Sequence, residues 1–332
     1  MAKMAKLLSI FVNIFVLTEV FLFVLGMSLT NQKATVGQFP YMIYLTILKS
    51  PGNSFSCGGS LLTRNFGLTA AHCLTFEQDN KTQMAEAAHA FMGIVDLMGP
   101  EEFEIYRKVT EMIIHENYQI FGDQDYTFHD IALIRFESPV DFCSRVQPIT
   151  LPDGQIRTRS FVKAFVTGMG WGMTTSGFTS TDLLYATSMI INNKKCQKKY
   201  NRAEKNYVIT EEMICVVPAG SNPRAGACMG DSGGPLILYG TSILVGIASW
   251  TEVQENCTKK FPDAFTRVTK YIDWIKEHVD ESDIWYKYGE HNQTQECPKS
   301  IPEPIETTEV SSTPEKSNTV AVFNHITTQI SI

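Results

Sequence analysis

The chain has 332 residues, 44% of them hydrophobic and 19% charged, with a formal net charge of −7. That supports one domain of roughly 250 residues with appendages, or two smaller ones, and excludes disorder throughout or a fibrous repeat. There is no basic surplus to neutralise phosphates, so nucleic-acid binding is not expected.

The first element is a leader. Lys3 and Lys6 precede an apolar run from Leu7 to Leu25, interrupted by Asn13, Thr18 and Glu19, and Val24-Leu25-Gly26 closes it. Residues 1–26 read as a secretory signal peptide. The rival is an uncleaved anchor, because the run is nearly long enough to span a bilayer; Glu19 counts against it. The sequons at Asn80, Asn256 and Asn292 are glycosylation candidates that also suit export. A secreted, extracellular protein with no stable membrane association is the expectation, and in that compartment the eight cysteines would pair.

Short β runs follow, among them 41–47, 131–136 and 242–248, punctuated by turn signals at Pro51-Gly52, Pro152-Asp-Gly154 and Asn222-Pro223. Helical spacing occurs once and late, over 271–279, with Tyr271, Trp274, Ile275 and His278 on one face. Many short strands and a single late helix indicate an all-β sandwich or barrel. There is no internal repeat. After Val279 the composition shifts: from Asp280 to Ile332 there is no leucine and Gly289 is the sole glycine. Residues 280–332 therefore read as a Pro/Thr/Glu-rich, mostly disordered tail, leaving 27–279 as the globular domain.

Three strings between those ends carry chemistry. They are Leu68-Thr-Ala-Ala-His-Cys73 with His72, Asp130-Ile-Ala-Leu133, and Cys228-Met-Gly-Asp-Ser-Gly-Gly-Pro235 with Ser232. Taken singly, a histidine beside a cysteine is usually a core or surface residue, an aspartate before an apolar strand a turn residue, and Gly-Gly-Pro a turn. Together they are the parts of nucleophilic catalysis. A serine hydroxyl needs a base within hydrogen-bond reach, and the base needs a carboxylate to fix its tautomer. Histidine is the side chain that titrates near neutral pH. Glycines around Ser232 let the backbone approach a substrate, and the amides of Gly230 and Ser232 are placed to stabilise an oxyanion.

In the order His, Asp, Ser, these strings resemble the trypsin/chymotrypsin family of serine endopeptidases. The resemblance runs from about Ala34 to Val279 and includes Gly37-Gln-Phe-Pro-Tyr41, Cys57-Gly-Gly-Ser60, Ile114-His-Glu-Asn-Tyr118, Gly170-Trp-Gly172 and Ser249-Trp250. It implies two packed six-stranded antiparallel Greek-key barrels with a C-terminal helix. It also implies a catalytic triad of His72, Asp130 and Ser232, polypeptide substrates, protein protease inhibitors as partners, and no cofactor. By the same resemblance Cys57 pairs with Cys73, Cys196 with Cys215, and Cys228 with Cys257. Another disulfide common in the family is missing, and both its positions, Val166 and Leu238, are apolar here. Cys143 and Cys297 then form a link between the body and the tail, or remain free thiols or intermolecular partners.

The chain also departs from the family. Gly93-Ile94 stands where the calcium loop begins with a glutamate, and no Cys/His set has zinc spacing, so no metal is expected. The resemblance assigns the substrate pocket to Gly226, Ala227, Ser249, Trp250, Thr251 and Asp263. Gly226 replaces the aspartate that binds Lys or Arg in trypsin-like members, Asp263 replaces a usual glycine, and Thr251 stands where glycine often keeps the entrance open. That pocket suits broad or chymotrypsin-like cleavage with tolerance of basic residues; the alternative is a shielded Asp263 and a medium apolar pocket. Asp231 is the acceptor of the new amino terminus in the family. Here the matching start is Ser28-Leu-Thr-Asn31, without a basic cleavage site or a glycine pair, and a cut after Lys33 falls about six residues too far along. Two functions follow: a secreted endopeptidase, or a non-catalytic protease-like binding protein whose activation segment has decayed.

Overall fold

The computed structural model describes residues 31–50, 53–79, 81–99, 104–121, 126–203, 207–220, 226–254, 257–285 and 296–297. The first half holds β1 (Gln32–Lys33), β2 (Met42–Ser50), β3 (Asn53–Leu61), β4 (Phe66–Thr69), helix α1 (Ala71–Leu74), paired strands β5 (Thr75–Gln78) and β6 (Lys81–Met84), β7 (Ala87–Met92), β8 (Ile105–Ile114), paired strands β9 (Gln119–Phe121) and β10 (Tyr126–Phe128), and β11 (Ala132–Phe136). The second half holds α2 (Gly154–Thr158), β12 (Phe165–Gly170), β13 (Leu184–Ile191), α3 (Asn193–Asn201), β14 (Met213–Pro218), β15 (Pro235–Leu238), β16 (Leu244–Trp250), paired strands β17 (Val253–Gln254) and β18 (Thr258–Lys259), β19 (Asp263–Arg267) and α4 (Ile272–His278).

The expectation of two antiparallel barrels holds. β2, β3, β4, β11, β8 and β7 close the first. Its interior follows from side-chain alternation: Ile43, Leu45 and Ile47 of β2 point inward at every second residue, while β11 buries Ala132, Leu133 and Ile134 in succession. β13, β12, β15, β16, β19 and β14 form the second, closed by pairing of β13 with β14, and β1 adds to the edge of β13. Val166 and Leu238 are cross-strand partners on β12 and β15, both packed with the second barrel's core. An apolar pair thus occupies the two positions where the family commonly has a disulfide.

α4 buries Ile272, Trp274 and Ile275 in one contiguous core with the first barrel, which matches the late helical spacing. α3 escaped the sequence reading because its apolar pattern amounts to Cys196 and Tyr200, one turn apart. Its start is fixed by Asn192, whose side chain accepts from Lys194 N–H at 2.8 Å. The ordered body also continues past Val279. Ile284 is buried and Trp285 meets the Phe142 ring edge-on. The rest of 280–332 lies outside the described residues apart from 296–297, as do the leader and all three sequon asparagines. Disulfides join Cys57–Cys73, Cys196–Cys215, Cys228–Cys257 and Cys143–Cys297. Among the described residues no helix is long and apolar enough to cross a membrane.

Candidate active site

His72 sits on α1, directly after β4, with its side chain about a quarter exposed. Its backbone N–H donates to Asp130 Oδ1 at 2.9 Å, and its Nδ1 lies 2.8 Å from Asp130 Oδ2. The ring is thereby held at two points by one carboxylate. Asp130 lies between β10 and β11 and is almost wholly buried. The residue before it, His129, adopts φ 50°, a left-handed conformation that a non-glycine residue keeps only when its surroundings enforce it. Those surroundings are the Tyr271 hydroxyl, 3.0 Å from His129 Nδ1, and the His115 ring stacked at 5.0 Å.

More donors converge on Asp130. Ser249 Oγ donates to Oδ2 at 2.5 Å and Thr127 Oγ1 at 3.1 Å, while Thr266 Oγ1 donates to the Asp130 carbonyl at 2.7 Å. Burial alone would favour the neutral acid; the His72 charge and the hydrogen bonds from His72 and Ser249 outweigh it and hold this carboxyl below the usual range. Asp130 is thus an anion, and an anion beside Nδ1 leaves Nε2 as the imidazole's free base position.

Ser232 is brought to the same place through β3. Cys57 is bonded to Cys73, the neighbour of His72, and Gly58 N–H donates to the Ser232 carbonyl at 2.7 Å. Gly233 follows with φ 77°, and a Cβ there would stand 2.2 Å from Thr69 Oγ1, so only glycine fits this close barrel-to-barrel approach. The Ser232 hydroxyl is not hydrogen-bonded to His72 in this structure, and the Gly230 and Ser232 amides donate to no protein acceptor among the described residues. Asp231 points the other way, accepting from Gly172 N–H at 2.8 Å and Cys228 N–H at 2.7 Å. A Cβ on Gly172 would collide with that carboxylate at 2.6 Å.

The residues expected to form the substrate pocket lie on and between the strands of the second barrel. Gly226, Ala227 and Asp263 line one cavity with Asp231, Gly172 and Asn31, whereas Ser249, Trp250 and Thr251 do not line it. Asp263 is buried at the start of β19, and the Thr251 hydroxyl donates to its carboxylate. Trp250 packs among Tyr126, Tyr200 and Tyr207. Sequence reasoning missed Thr127 and Lys49. Thr127 left no signal beyond a hydroxyl three residues before Asp130. Lys49 is the extra residue of a β-bulge in β2, and its Nζ lies 3.5 Å from the His72 carbonyl and 4.0 Å from the Phe55 ring centroid. The sulfurs near His72 are tied up in the Cys57–Cys73 bond and offer a cation no thiolate.

Comparison with known proteins gives the same picture. The Trypsin family model matches residues 29–275. A collagenase from Hypoderma lineatum is 31% identical over 257 residues, covering 76% of this chain and 88% of that protein. A chymotrypsin from Phaedon cochleariae is 30% identical, covering 75% and 80%, and trypsin-1 from Astacus astacus is 33% identical, covering 74% and 97%. A solved HL collagenase structure superimposes with a TM-score of 0.62 at 29% identity, over 74% of this chain and 96% of that one.

Proposed function

Because the chain belongs to the trypsin family and is a serine-type endopeptidase acting on polypeptides, we propose that His72, Asp130 and Ser232 are its catalytic triad. The observation that carries this is the two-point grip of Asp130 on His72, at 2.9 and 2.8 Å. His72 takes the Ser232 proton through Nε2 as the hydroxyl oxygen attacks a peptide carbonyl. Asp130 fixes the tautomer and stabilises the imidazolium. The Gly230 and Ser232 amides bind the oxyanion, His72 protonates the leaving amine, and water repeats the cycle to release the acyl-enzyme. The scheme is the family's own, carried onto this chain's residues.

The protein works outside the cell, exported by residues 1–26, and meets protein inhibitors there. Its pocket accepts a broad or chymotrypsin-like range of side chains: Gly226 leaves the floor uncharged, and Asp263, steadied by Thr251, tolerates a basic residue. Activation does not proceed by cutting at Lys33. That residue is paired with Leu184 across β1 and β13 and forms an ion pair with Asp182 at 2.6 Å. The amino terminus left by signal cleavage serves instead, with Asp231 as its acceptor; Asn31 lines the cavity beside that carboxylate.

A fluorophosphonate probe applied to the secreted protein tests this reading. Labelling at Ser232, lost in Ser232→Ala, is the expected result. An unlabelled but correctly folded and matured protein means a binding function instead, which the protease names of the relatives do not favour.

A further inference from the structure

This acidic protein places a dense run of positive charge on one short helix. α3 carries Lys194, Lys195, Lys198 and Lys199, and Arg202 caps its C-terminus. With 3.6 residues per turn, the five side chains fall within an arc of about 140° along roughly 12 Å of axis. All five residues are exposed. None takes part in an ion pair among the described residues, whose lysine and arginine pairs lie elsewhere, at Lys33, Arg64, Arg135, Arg157, Lys270 and Lys276. Like charges one turn apart oppose helix formation, so this stripe does not stabilise the helix that bears it.

The opposite face supplies the stability. Cys196 is bonded to Cys215, and the Tyr200 hydroxyl donates to the Pro262 carbonyl at 2.5 Å. Asn193 Nδ2 donates to the carbonyls of Thr210 and Met213, and Gln197 Oε1 accepts from Ile209 N–H at 2.7 Å. The cations are thus mounted on a fixed support. Tyr200 packs on Trp250, so that support stands behind the pocket wall rather than in the cleft.

We propose that this face of α3 binds a linear sulfated polysaccharide. The stripe itself carries no apolar side chain to enter a membrane. It is a row of charges repeated turn by turn, which matches a chain with anions at regular intervals. Four of the five cations are lysines, compact point charges without the planar fork that pairs with carboxylates, and this favours sulfate esters over an acidic polypeptide. Four disulfides belong to an oxidising compartment, where nucleic acid is not the common polyanion. A bound polymer would hold the enzyme in place and leave its cleft open.

The test is retention of the full secreted protein on immobilised dextran sulfate, read as the salt needed for elution. The wild-type protein should stay bound at physiological ionic strength, about 0.15 M. By the counterion release that governs charged polymers, its affinity should fall on the order of a hundredfold between about 50 and 200 mM salt. Replacing Lys194, Lys195, Lys198 and Lys199 together with Gln, which keeps helix propensity, should remove retention while leaving hydrolysis of a short peptide unchanged. Equal retention of that variant overturns the proposal, as does wild-type protein that flows through at 0.15 M. Duplex DNA or polyglutamate that elutes the protein as well as soluble dextran sulfate at equal charge transfers the surface to another class of partner and also overturns it.

Discussion

The two barrels divide the chemistry unequally. On the proposed reading, the first-barrel half of the chain holds the base and its carboxylate on or beside regular elements: His72 on α1, Asp130 between β10 and β11, and Thr127 on β10. On the same reading the second holds the nucleophile and the Gly230 and Ser232 amides between β14 and β15, and the pocket residues partly there, at Gly226 and Ala227, and partly on or next to β16 and β19, at Ser249, Trp250, Thr251 and Asp263. Asp130 is where they meet, since it accepts from His72 and Thr127 on one side and from Ser249 and Thr266 on the other. The proposed acid–base half is therefore specified by barrel packing, whereas the proposed selectivity rests on pocket residues of the second barrel, of which Ser249 belongs to both through its hydrogen bond to Asp130.

Removing the negative charge where the barrels meet is the most damaging test. Asp130→Asn should leave the fold intact and lower kcat on the order of 10⁴-fold, a magnitude taken from the same change within this family rather than from this structure. Active-site titration beside near-UV circular dichroism separates the two effects. Next comes a change confined to the first barrel's outer side. Cys143→Ala with Cys297→Ala should cost about 2–4 kcal/mol of stability in urea unfolding and leave kcat untouched. Loss of kcat would mean that the barrels do not divide the work.

Thr127→Val keeps the side-chain shape but removes a donor to a buried carboxylate, at a cost of about 1.5–3 kcal/mol in stability, with a milder fall in kcat than Asp130→Asn gives. On the second barrel, Asp263→Gly should lower cleavage after Lys and Arg relative to Leu and Phe roughly tenfold, equivalent to about 1.4 kcal/mol. An unchanged ratio in a peptide-library digest would leave Asp263 a purely structural partner of Thr251.

The smallest effect concerns His115. Burial, with the neighbouring His129 and His278 charges, lowers its pKa against the opposing pull of Glu116. A histidine with a lowered folded pKa contributes stability above its unfolded value of about 6.5. That contribution is lost as pH falls from there to the folded pKa. His115→Gln should therefore show a flatter dependence of Tm on pH in the mildly acidic range.

The strands were legible because alternation and contiguous apolar runs report burial directly, as Ile43, Leu45 and Ile47 illustrate. The His72, Asp130 and Ser232 strings were legible because the proposed catalysis demands particular residue types in short, local patterns. Thr127 and the Thr251–Asp263 hydrogen bond were not, since each depends on partners that only the folded barrels bring together. α3 was hidden for a different reason: disulfide anchoring replaces the apolar face that periodicity detects. Composition puts the end of the body after Val279, beyond which proline, threonine and glutamate cluster, but Ile284 and Trp285 still find the first barrel.

The Cys143–Cys297 bond has a consequence for any proteolytic cut near the end of the chain. It closes a loop of 154 residues in sequence. A single cut anywhere between positions 286 and 295 would split the backbone in two, yet everything beyond the cut would remain attached to the first barrel through sulfur. Such a nicked protein loses no residue and gains only a water, and it separates into two chains when the disulfide is reduced. A fragment cut off in that stretch thus stays tethered, whereas a cut after Cys297 leaves a fragment with no disulfide to hold it.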